Sequence, residues 1–408
     1  MGPSGFFFPA TKAMSASSAS VLIVSAARTA VGKFNGRLKS VTATELGAIA
    51  ATAAIDRAGI ENKSQISELF FGQVLQANVG QSPARQVAIK SGLPSSVDAT
   101  TINKVCSSGL KSIIFASQNI SSGNAQVMVA GGMESMSNAP YYIARGSTSF
   151  GHTLATDSIL RDGLWDRYND MHMGLCAENT AEMLRISKEA QDKFALESYR
   201  RARNAIESGV FKTEIVPVNV KTKTGPVVFE TDEEPVSASL NLEKLPGLKS
   251  AFKKNGTVTA GNASPISDGA SALVLASEDA CNKYAYASPL ARIVAYADAA
   301  RDPIDFTIAP SLAIPKVLSK AGLELDDMSL IELNEAFAVV ALANIGLLGL
   351  DLDKVNVNGG AVALGHAIGS SGSRIVVSLA HALQPGQYGL AAICNGGGGS
   401  SALIIQRL

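Results

Sequence analysis

Short apolar runs alternate with stretches of helical spacing over the first third of the chain. The runs at 21–24, 68–74 and 127–130 are typical of buried strands. Between them, residues 44–58 predict an alanine-rich helix with Thr44 as its N-cap, and residues 82–91 predict a second helix. Strands that alternate with helices predict a mostly parallel α/β sheet covered by helices.

The pattern changes in the middle of the chain, from about residue 139. Charged residues, tyrosine and proline become frequent there, and residues 180–208 have the spacing of one long helix. Residues 216–218 and 226–229 are short predicted strands bounded by prolines. We therefore expect a separate, more irregular α+β domain inserted between two sheet-bearing parts.

From residue 290 onward the first pattern recurs in the same order. Predicted strands at 291–294, 329–333, 355–358 and 389–394, with a helix at 373–382, correspond to the elements of the first part. A repeat of this length is typical of a duplicated domain. Two such halves, packed together, predict a five-layered αβαβα body with a pocket where their equivalent loops meet.

These patterns predict three domains after the first twenty residues. The N-terminal domain comprises 21–138 and 265–289, the inserted domain 139–264, and the C-terminal domain 290–408.

Composition narrows the function classes. Aromatic residues make up 6% of the 408 residues, whereas all hydrophobic residues together make up 46%. The formal net charge is zero, so no basic field exists to attract nucleic acid. The four cysteines are far apart in sequence, which excludes a disulfide framework or a zinc motif and favours reduced thiols inside the cell. The apolar runs are too short to predict a membrane span.

The first twenty residues are rich in serine and contain no acid, which is typical of an organellar transit peptide, although arginine is missing. A disordered tail is the alternative. We predict a flexible leader or transit segment at 1–20 and a mitochondrial location, with a cytoplasmic one as the alternative. The last three residues only loosely resemble a peroxisomal signal, and the end of a strand explains them better.

Residues 103–111 place a cysteine between small residues directly before a helical pattern. A thiol at the N-terminus of a buried helix is stabilised as thiolate by the helix dipole and free N–H groups. We therefore expect the pKa of Cys106 to fall toward neutrality. The alternative for this stretch alone is a small buried hydrophobe.

Four glycine-dense loops follow predicted strands and carry Cys106, Asn334, His366 and Cys394. Each residue alone has an ordinary explanation: a packed cysteine, a helix N-cap, or a core histidine bonded to backbone. Together, two thiols, an imidazole and an amide are the groups needed for acyl transfer through a thioester.

Five motifs resemble the thiolase family, and within it the short-chain acetoacetyl-CoA branch, over residues 21–408. They are Asn-Lys-Val-Cys-Ser-Ser-Gly at 103–109, Gly-Gly-Met-Glu-Ser-Met-Ser at 131–137, Asn-Glu-Ala-Phe-Ala at 334–338, Gly-Gly-Ala-Val-Ala-Leu-Gly-His at 359–366 and Cys-Asn-Gly-Gly-Gly at 394–398. The resemblance implies a reversible Claisen condensation of two acetyl-CoA molecules to acetoacetyl-CoA and CoA.

The resemblance also implies the catalytic roles. Cys106 is expected to be the acetylated nucleophile, His366 the base that takes its proton, and Cys394 the second acid/base that acts at the α-carbon. One oxyanion site is expected from His366 Nε2 and a water on Asn334, and a second from the backbone N–H groups of Cys106 and Gly396.

No prosthetic group is implied, since coenzyme A thioesters are the substrates. The expected pantetheine and acyl contacts, with Ser264 hydrogen-bonded to the pantetheine, are Leu164, His172, Met173, Phe252, Ala260, Ser264, Ala336 and Phe337. The positions that bind potassium in mitochondrial-type members are Tyr199, Ala260, Gly261, Ala263 and Val362. The loop at 139–153 resembles the segment through which thiolase dimers form homotetramers. No membrane or nucleic-acid partner is expected.

Two departures from the family pattern stand out. Ala367 replaces the usual proline after His366, which leaves the loop less rigid but compatible with activity. Thr307 follows Phe306 where animal mitochondrial enzymes have proline, so acceptance of a 2-methyl branch stays open.

The sequence leaves the physiological direction open, as well as two alternative functions. The first is a degradative 3-ketoacyl-CoA thiolase of broader chain length, against which the His172-Met173 wall argues. The second is a non-catalytic CoA- or lipid-binding relative, against which the presence of Cys106, His366 and Cys394 argues. Ketoacyl synthases share the fold but use a Cys-His-His set, which Cys394 does not fit.

Overall fold

The computed structural model describes residues 20–146, 150–237 and 241–408. The predicted leader, apart from Ser20, and part of the 139–153 loop lie outside the described residues. Within the described ranges, no helix combines the length and apolar character that crossing a membrane requires.

The chain alternates strands and helices throughout. The strands are β1 (Val21–Thr29), β2 (Gly32–Lys33), β3 (Glu68–Gly72), β4 (Asp98–Ile102), β5 (Val127–Ser135), β6 (Tyr141–Tyr142), β7 (Thr156–Asp157), β8 (Trp165–Asp166), β9 (Met171–His172), β10 (Ile215–Val216), β11 (Val218–Thr222), β12 (Gly225–Phe229), β13 (Ser267–Ser277), β14 (Ala291–Ala300), β15 (Met328–Leu333), β16 (Tyr388–Asn395) and β17 (Gly399–Arg407). The α-helices are α1 (Ala43–Arg57), α2 (Pro83–Lys90), α3 (Ser108–Ser121), α4 (Met173–Met183), α5 (Lys188–Glu207), α6 (Glu278–Tyr284), α7 (Pro310–Ala321), α8 (Ala338–Leu348), α9 (Ala361–Leu364) and α10 (Ser371–Ala382).

The main sheet is built from two copies of one strand order. The first copy runs β4-β3-β5-β13-β1, and the second runs β15-β16-β17-β14 with an isolated parallel bridge from Ile331 to Val355 in the place of β4. In both copies the first two pairings are parallel and the last two are antiparallel. Even the register shift recurs, between Ile23 and Ser25 in one copy and between Ile293 and Ala295 in the other. The topology therefore has the internal duplication that the sequence predicts.

The two copies meet through β1 and β14, the strands that come first along the chain in each copy. Leu22 pairs with Arg292 and Ile23 with Ala291, so that β1 and β14 join the half-sheets edge to edge. Helices α3 and α10 pack on each other and contact strands of both halves, whereas α1 and α2 cover the N-terminal half and α7 covers the C-terminal half. The layers follow the predicted order α, β, α, β, α.

Two glycines allow α3 and α10 to approach closely where both helices begin. A Cβ on Gly109 would lie 2.7 Å from the backbone nitrogen of Ser373, and one on Gly372 would lie 2.5 Å from that of Leu110. Because any side chain there would push the helices apart, this crossing fixes the loops that enter them. Those loops carry Cys106 and His366.

The segment between β5 and β13 leaves the sheet and returns beside the strand it left, since these two strands are neighbours. It contributes β10, which pairs with the end of β1. Arg28 of β1 anchors the segment, because its buried guanidinium binds Glu214 at 2.6 Å and Asp232 at 2.7 Å. Removing one partner of such a buried pair is strongly destabilising.

Three predictions about local structure are wrong. The N-cap of α1 is Thr42 rather than Thr44, because Thr42 and Glu45 form a reciprocal capping box. The predicted helix at 180–208 is two helices, α4 and α5, separated at Arg185, whose φ is +54°. The predicted strand at 355–358 is absent.

Asn356 explains the missing strand. Its side chain accepts from Leu333 N at 2.8 Å and donates to Leu333 O at 2.8 Å. The amide thus supplies to β15 the two hydrogen bonds that a neighbouring strand would otherwise provide.

Candidate active site

An apolar cavity of about 430 Å³ lies where the two halves and the inserted segment meet. Cys106 and His366, which come from different halves, both line it. All eight predicted pantetheine and acyl positions line it as well: Leu164, His172, Met173, Phe252, Ala260, Ser264, Ala336 and Phe337. The structure therefore brings these ten residues together around one space of a size suited to a small acyl group and part of a larger ligand.

Cys106 lies on a sharp turn between β4 and α3. Val105 has φ +48°, an outlier for a β-branched residue. The turn is held by Ser108 Oγ, which accepts from Lys104 N at 2.9 Å and donates to Val105 O at 2.6 Å. Strain of this kind persists where the surroundings fix the geometry. Here they include Lys104 Nζ, which reaches Asp298 of β14 at 2.5 Å.

The pKa of Cys106 contradicts the expectation from the helix N-terminus. Burial raises the pKa of the thiol to about 12, while hydrogen bonds from the backbone N–H groups of Gly396 and of Cys106 itself oppose the rise. The N-cap of α3 is Ser107, so Cys106 precedes the helix. Desolvation outweighs the helix end, and the resting residue is a neutral thiol that needs a base.

His366 is oriented by Ser371. Its Nδ1 lies 2.6 Å from Ser371 Oγ, which in turn donates to Ala367 O at 3.0 Å. A hydroxyl has one proton, and when Ser371 donates it to Ala367 O, its oxygen accepts from His366 Nδ1–H. In that arrangement the proton of the neutral ring is on Nδ1, and Nε2 keeps its lone pair.

Nε2 of His366 is buried and has no hydrogen-bond partner among the described residues. Burial, with the nearby Arg374 charge, lowers the pKa of His366 to about 3. The ring is therefore neutral at rest, and Nε2 is free to receive a proton from a group in the cavity. An unpartnered buried nitrogen is costly in a site without such a role.

Asn334 follows β15, with its backbone N–H bound to Ala392 O at 2.9 Å. Its side chain is fully buried, and neither amide atom has a partner within the described ranges. Two unpartnered buried amide atoms are polar groups that a bound water would satisfy. Unlike Cys106 and His366, Asn334 and Cys394 are not among the residues that line the cavity.

Cys394 is the penultimate residue of β16 and lies in a buried apolar cluster with Met173, Phe306 and Phe337. Burial and the neighbouring Cys106 thiol raise its pKa well above the usual value. The interaction between the thiols places Cys394 beside the nucleophile. Gly396 follows two residues later with its N–H on the Cys106 sulfur.

Two polar side chains of the cavity wall are held in place by contacts within the protein. His172 stacks on Phe252 with ring centroids 4.6 Å apart, and its Nδ1 accepts from Gly174 N at 2.9 Å. Ser264 Oγ donates to Ala336 O at 2.7 Å. The Ser264 hydroxyl is therefore left as an acceptor toward the cavity rather than a donor.

The positions predicted for potassium lie on three segments that touch. Tyr199 is on α5, which packs on α9 with Val362, and Asn262 Nδ2 ties the 260–263 segment to Asp192 of α5 at 2.8 Å. The carbonyl oxygens of Ala260, Gly261 and Ala263 accept no backbone hydrogen bond from the described part of the chain. A phenol with free carbonyls suits a hard monovalent cation. No cluster of three or more His, Cys, Asp or Glu side chains suited to a metal occurs in the described ranges.

Sequence reasoning missed several functional positions. Met136 and Ile368 line the cavity; Met136 lies within the 131–137 motif and Ile368 lies two residues after the 359–366 motif, so the motif context was the available signal. Ser371 was missed because its role depends on a hydroxyl proton committed elsewhere, which no sequence pattern displays.

Comparison with known proteins gives the family of the chain. The family model described as thiolase, N-terminal domain, matches residues 21–279, and that described as thiolase, C-terminal domain, matches 287–407. An acetyl-CoA acetyltransferase of Yarrowia lipolytica is 61% identical over 95% of this chain and 96% of its own. A mitochondrial acetyl-CoA acetyltransferase of Bos taurus is 55% identical over 95% of this chain and 92% of its own.

A solved structure shares the whole fold. The thiolase Acat5 of Ascaris suum, in complex with coenzyme A, superposes with a TM-score of 0.91 at 46% identity and covers 95% of this chain and 100% of its own. The predicted fold class and the family resemblance are confirmed, and the expected activity agrees with the descriptions of these relatives. The chain belongs to the thiolase family.

Proposed function

We propose that the chain is an acetyl-CoA acetyltransferase that joins two acetyl-CoA molecules reversibly into acetoacetyl-CoA and CoA through acetyl-Cys106. The observation that carries this proposal is the convergence, on one apolar cavity, of a buried thiol and a buried imidazole with a free Nε2. Packing alone does not explain why a buried thiol and an unpartnered imidazole nitrogen line the same cavity.

Acetylation begins when the Cys106 sulfur attacks the thioester carbonyl of acetyl-CoA as its proton moves to His366 Nε2. The tetrahedral oxyanion lies against the N–H groups of Cys106 and Gly396, and its collapse expels the CoA thiolate. A donor of this type contributes roughly 3 kcal/mol of transition-state stabilisation.

The proposed His366 tautomer, with its proton on Nδ1, decides where the next proton comes from. Since Nδ1–H is held by Ser371, His366 donates from Nε2 only when the ring is doubly protonated. The proton taken from Cys106 therefore stays on His366, and the leaving CoA thiolate takes its proton from Cys394. This leaves a Cys394 thiolate and a His366 imidazolium, so the charges balance.

Condensation uses both charges. The Cys394 thiolate removes an α-proton from the second acetyl-CoA, and the enolate oxygen is stabilised by His366 Nε2–H and a water on Asn334. The enolate carbon attacks acetyl-Cys106, a carbon–carbon bond forms, and the Cys106 thiolate leaves and recovers its proton from His366. Cleavage of acetoacetyl-CoA follows the reverse path.

Cys106→Ser tests the proposal directly. We expect no acetyl-enzyme and a loss of cleavage of at least about 10³-fold, because the alcohol is a far poorer nucleophile at neutral pH. The readout is the mass of the intact protein after incubation with acetyl-CoA, with peptide mapping of the adduct. Cys281→Ser, at a half-buried thiol remote from the cavity, is the matched control and should behave as wild type. An acetyl group mapped to any other residue of the native chain would refute the assignment.

The substrate range is proposed to be short-chain. The cavity floor formed by Met136, Phe306 and Ile368 around Cys106 is buried, which leaves little room for a long acyl chain. Cleavage of acetoacetyl-CoA should therefore exceed that of 3-ketohexadecanoyl-CoA. The opposite order would favour a degradative thiolase of broader range.

Coenzyme A is proposed to enter along the wall of Leu164, His172, Phe252 and Ser264, which supports the pantetheine arm. A potassium ion is proposed at Tyr199, Ala260, Gly261, Ala263 and Val362, where it would order the 260–263 segment that also lines the cavity. Titration of thermal stability with KCl against NaCl at constant ionic strength tests this site.

Assembly, location and domain division complete the proposal. The exposed side chains of Tyr141 and Ile143 in the 139–153 loop support a homotetramer, which light scattering tests. The mitochondrial relative supports a mitochondrial location. The division into 21–138 with 265–289, 139–264 and 290–408 is supported by the adjacency of β5 and β13 in the sheet.

A further inference from the structure

Two residues that directly follow the two thiols touch each other. Ser107 follows Cys106, Asn395 follows Cys394, and the residues are 288 positions apart in sequence. Ser107 Oγ lies 2.9 Å from Asn395 Oδ1 and 3.3 Å from Ile393 O, so its single proton goes mainly to the amide oxygen. Both side chains are buried.

The other end of the amide reaches across the Asn395–Gly396 peptide to the Gly396 carbonyl. Asn395 Nδ2 donates to Gly396 O at 2.8 Å. Because that carbonyl requires a donor, the amide cannot flip, and Oδ1 must face Ser107. The side chain is also confined sterically, since a Cβ on Gly399 would lie 2.6 Å from Nδ2.

The Gly396 backbone held in this way lies in a glycine-rich turn. Gly396 is followed by Gly397 and Gly398, with φ of +84° and +83°, in the turn between β16 and β17. Glycine runs are the most flexible backbone. Yet the N–H of Gly396 must stay on the Cys106 sulfur, because it helps to stabilise the thiolate there.

A second link ties the nucleophile loop to the C-terminal half without reaching this turn. Lys104 Nζ binds Asp298 at 2.5 Å and Ser401 Oγ at 2.9 Å. These contacts hold the loop against β14 and β17, but they do not reach the Asn395–Gly396 peptide. Among the described residues, the direct side-chain connection from the nucleophile loop to that peptide is Ser107 to Asn395 to Gly396.

We propose that Ser107 and Asn395 are a pair of positioning residues that set the Gly396 N–H at the distance from Cys106 at which it serves as an oxyanion donor. The proposal rests on the roles assigned to Cys106 and Gly396 under the proposed function. Ser107 and Asn395 touch neither substrate nor reacting atoms. They act by clasping Gly396 through its carbonyl, so that the preceding Asn395–Gly396 peptide, which carries the N–H, is restrained across the interface of the two halves.

Ser107→Ala, Asn395→Leu and the double variant test the pair. Each single variant breaks the same connection, so each should slow single-turnover acetylation of Cys106 by about 10- to 100-fold, the scale expected for a displaced donor. The KM for acetyl-CoA should stay within about twofold, since the cavity wall is unchanged. The double variant should be no slower than the slower single variant, because residues that act as a unit are not additive.

Ser112→Ala is the matched control, since Ser112 is a buried serine of the same helix whose hydroxyl binds only the backbone of Gly109 and Gly131. It should acetylate at the wild-type rate despite any fall in melting temperature. Ser107→Ala acetylating at the wild-type rate, or losses that multiply in the double variant, would overturn the pair. If Asn395→Leu fails to fold, Ser107→Ala decides alone. Wild-type protein that is not acetylated at Cys106 would instead overturn the proposed function itself.

Discussion

The N-terminal and C-terminal halves share a scaffold but divide the chemistry unequally. Counting from their common register shift, Val127 of β5 corresponds to Tyr388 of β16, because they pair with Ala276 and Gln406 at equivalent points of β13 and β17. Met133 then corresponds to Cys394. One position is a buried core side chain and the other a thiol beside the nucleophile.

The next position along each strand has the same role in both halves, although the residue is glutamate in β5 and asparagine in β16. Glu134 accepts from the backbone N–H groups of Val74, Leu75 and Gly369, and Asn395 binds Ser107 and Gly396. Each is a buried polar side chain that fixes loops at the interface of the halves. The duplicated fold therefore has a buried polar side chain that fixes loops at this position in both halves. The neighbouring position is a packed methionine in one half and a thiol beside the nucleophile in the other.

Helices α3 and α10 show the same relation. Gly109 and Gly372 form their symmetrical crossing, which makes Ser108 the counterpart of Ser371. Ser108 hydrogen-bonds only backbone of the Cys106 turn, whereas Ser371 orients the His366 ring. The N-terminal half thus contributes the nucleophile, and the C-terminal half contributes the groups that move protons.

Separate alanine substitutions of Met133 and Cys394, which occupy equivalent positions, should give the largest difference between the two halves. Cys394→Ala should lower condensation by about 10³-fold or more, since the α-proton has lost its base. Acetylation of Cys106 should persist at a reduced rate, because CoA can leave as a thiolate. Met133→Ala should keep condensation per folded molecule but lose about 2–5 kcal/mol of unfolding free energy.

Coupled assays for condensation, intact mass for acetylation and thermal melts separate these effects. Cys176→Ala, in the same apolar cluster as Cys394, is the control for a lost buried thiol. Normal condensation by Cys394→Ala would remove the asymmetry between the halves.

Ser371→Ala and Ser108→Ala are the next sharpest pair. Ser371→Ala leaves His366 Nδ1 without its acceptor and frees the tautomer, so kcat should fall about 10- to 100-fold with little change in KM. Ser108→Ala should cost about 1 kcal/mol of stability and reduce kcat much less. Steady-state kinetics and melting curves measure both. Equal losses of kcat would mean that Ser371 only supports the backbone, as its counterpart does.

The last expected effect is on acid stability. The pKa of His366 is lowered by burial to about 3, below its value of 6.5 in the unfolded chain. Between these values the unfolded state binds more protons, so the stability contributed by neutral His366 is present above pH 6.5 and is lost as pH falls toward 3. His366→Asn should therefore show a flatter fall in melting temperature from pH 6.5 to 4 than wild type. Parallel curves would place the acid sensitivity elsewhere, for example in the other buried histidine, His381.

Apolar periodicity predicted the strands and helices that carry the site, because buried runs such as β1 and β5 have one dominant pattern. It failed where a side chain replaced backbone structure, as Asn356 does beside β15, and where a helix ended without glycine or proline, as at Arg185. The reactive residues were found through motifs. The predicted fall in the pKa of Cys106 was wrong. The helix end is visible in the sequence, whereas the degree of burial depends on how both halves pack together.

Strand β13 has a consequence for how the enzyme forms. It completes the N-terminal half between β1 and β5, although the whole inserted segment separates it from β5 in the chain. Its pairing must wait for a long loop to close, and the contact of Lys104 with Asp298 spans 194 residues. During refolding from denaturant, helical content should therefore return well before catalytic turnover, and an intermediate with unpaired sheet edges would be exposed to aggregation in the interval.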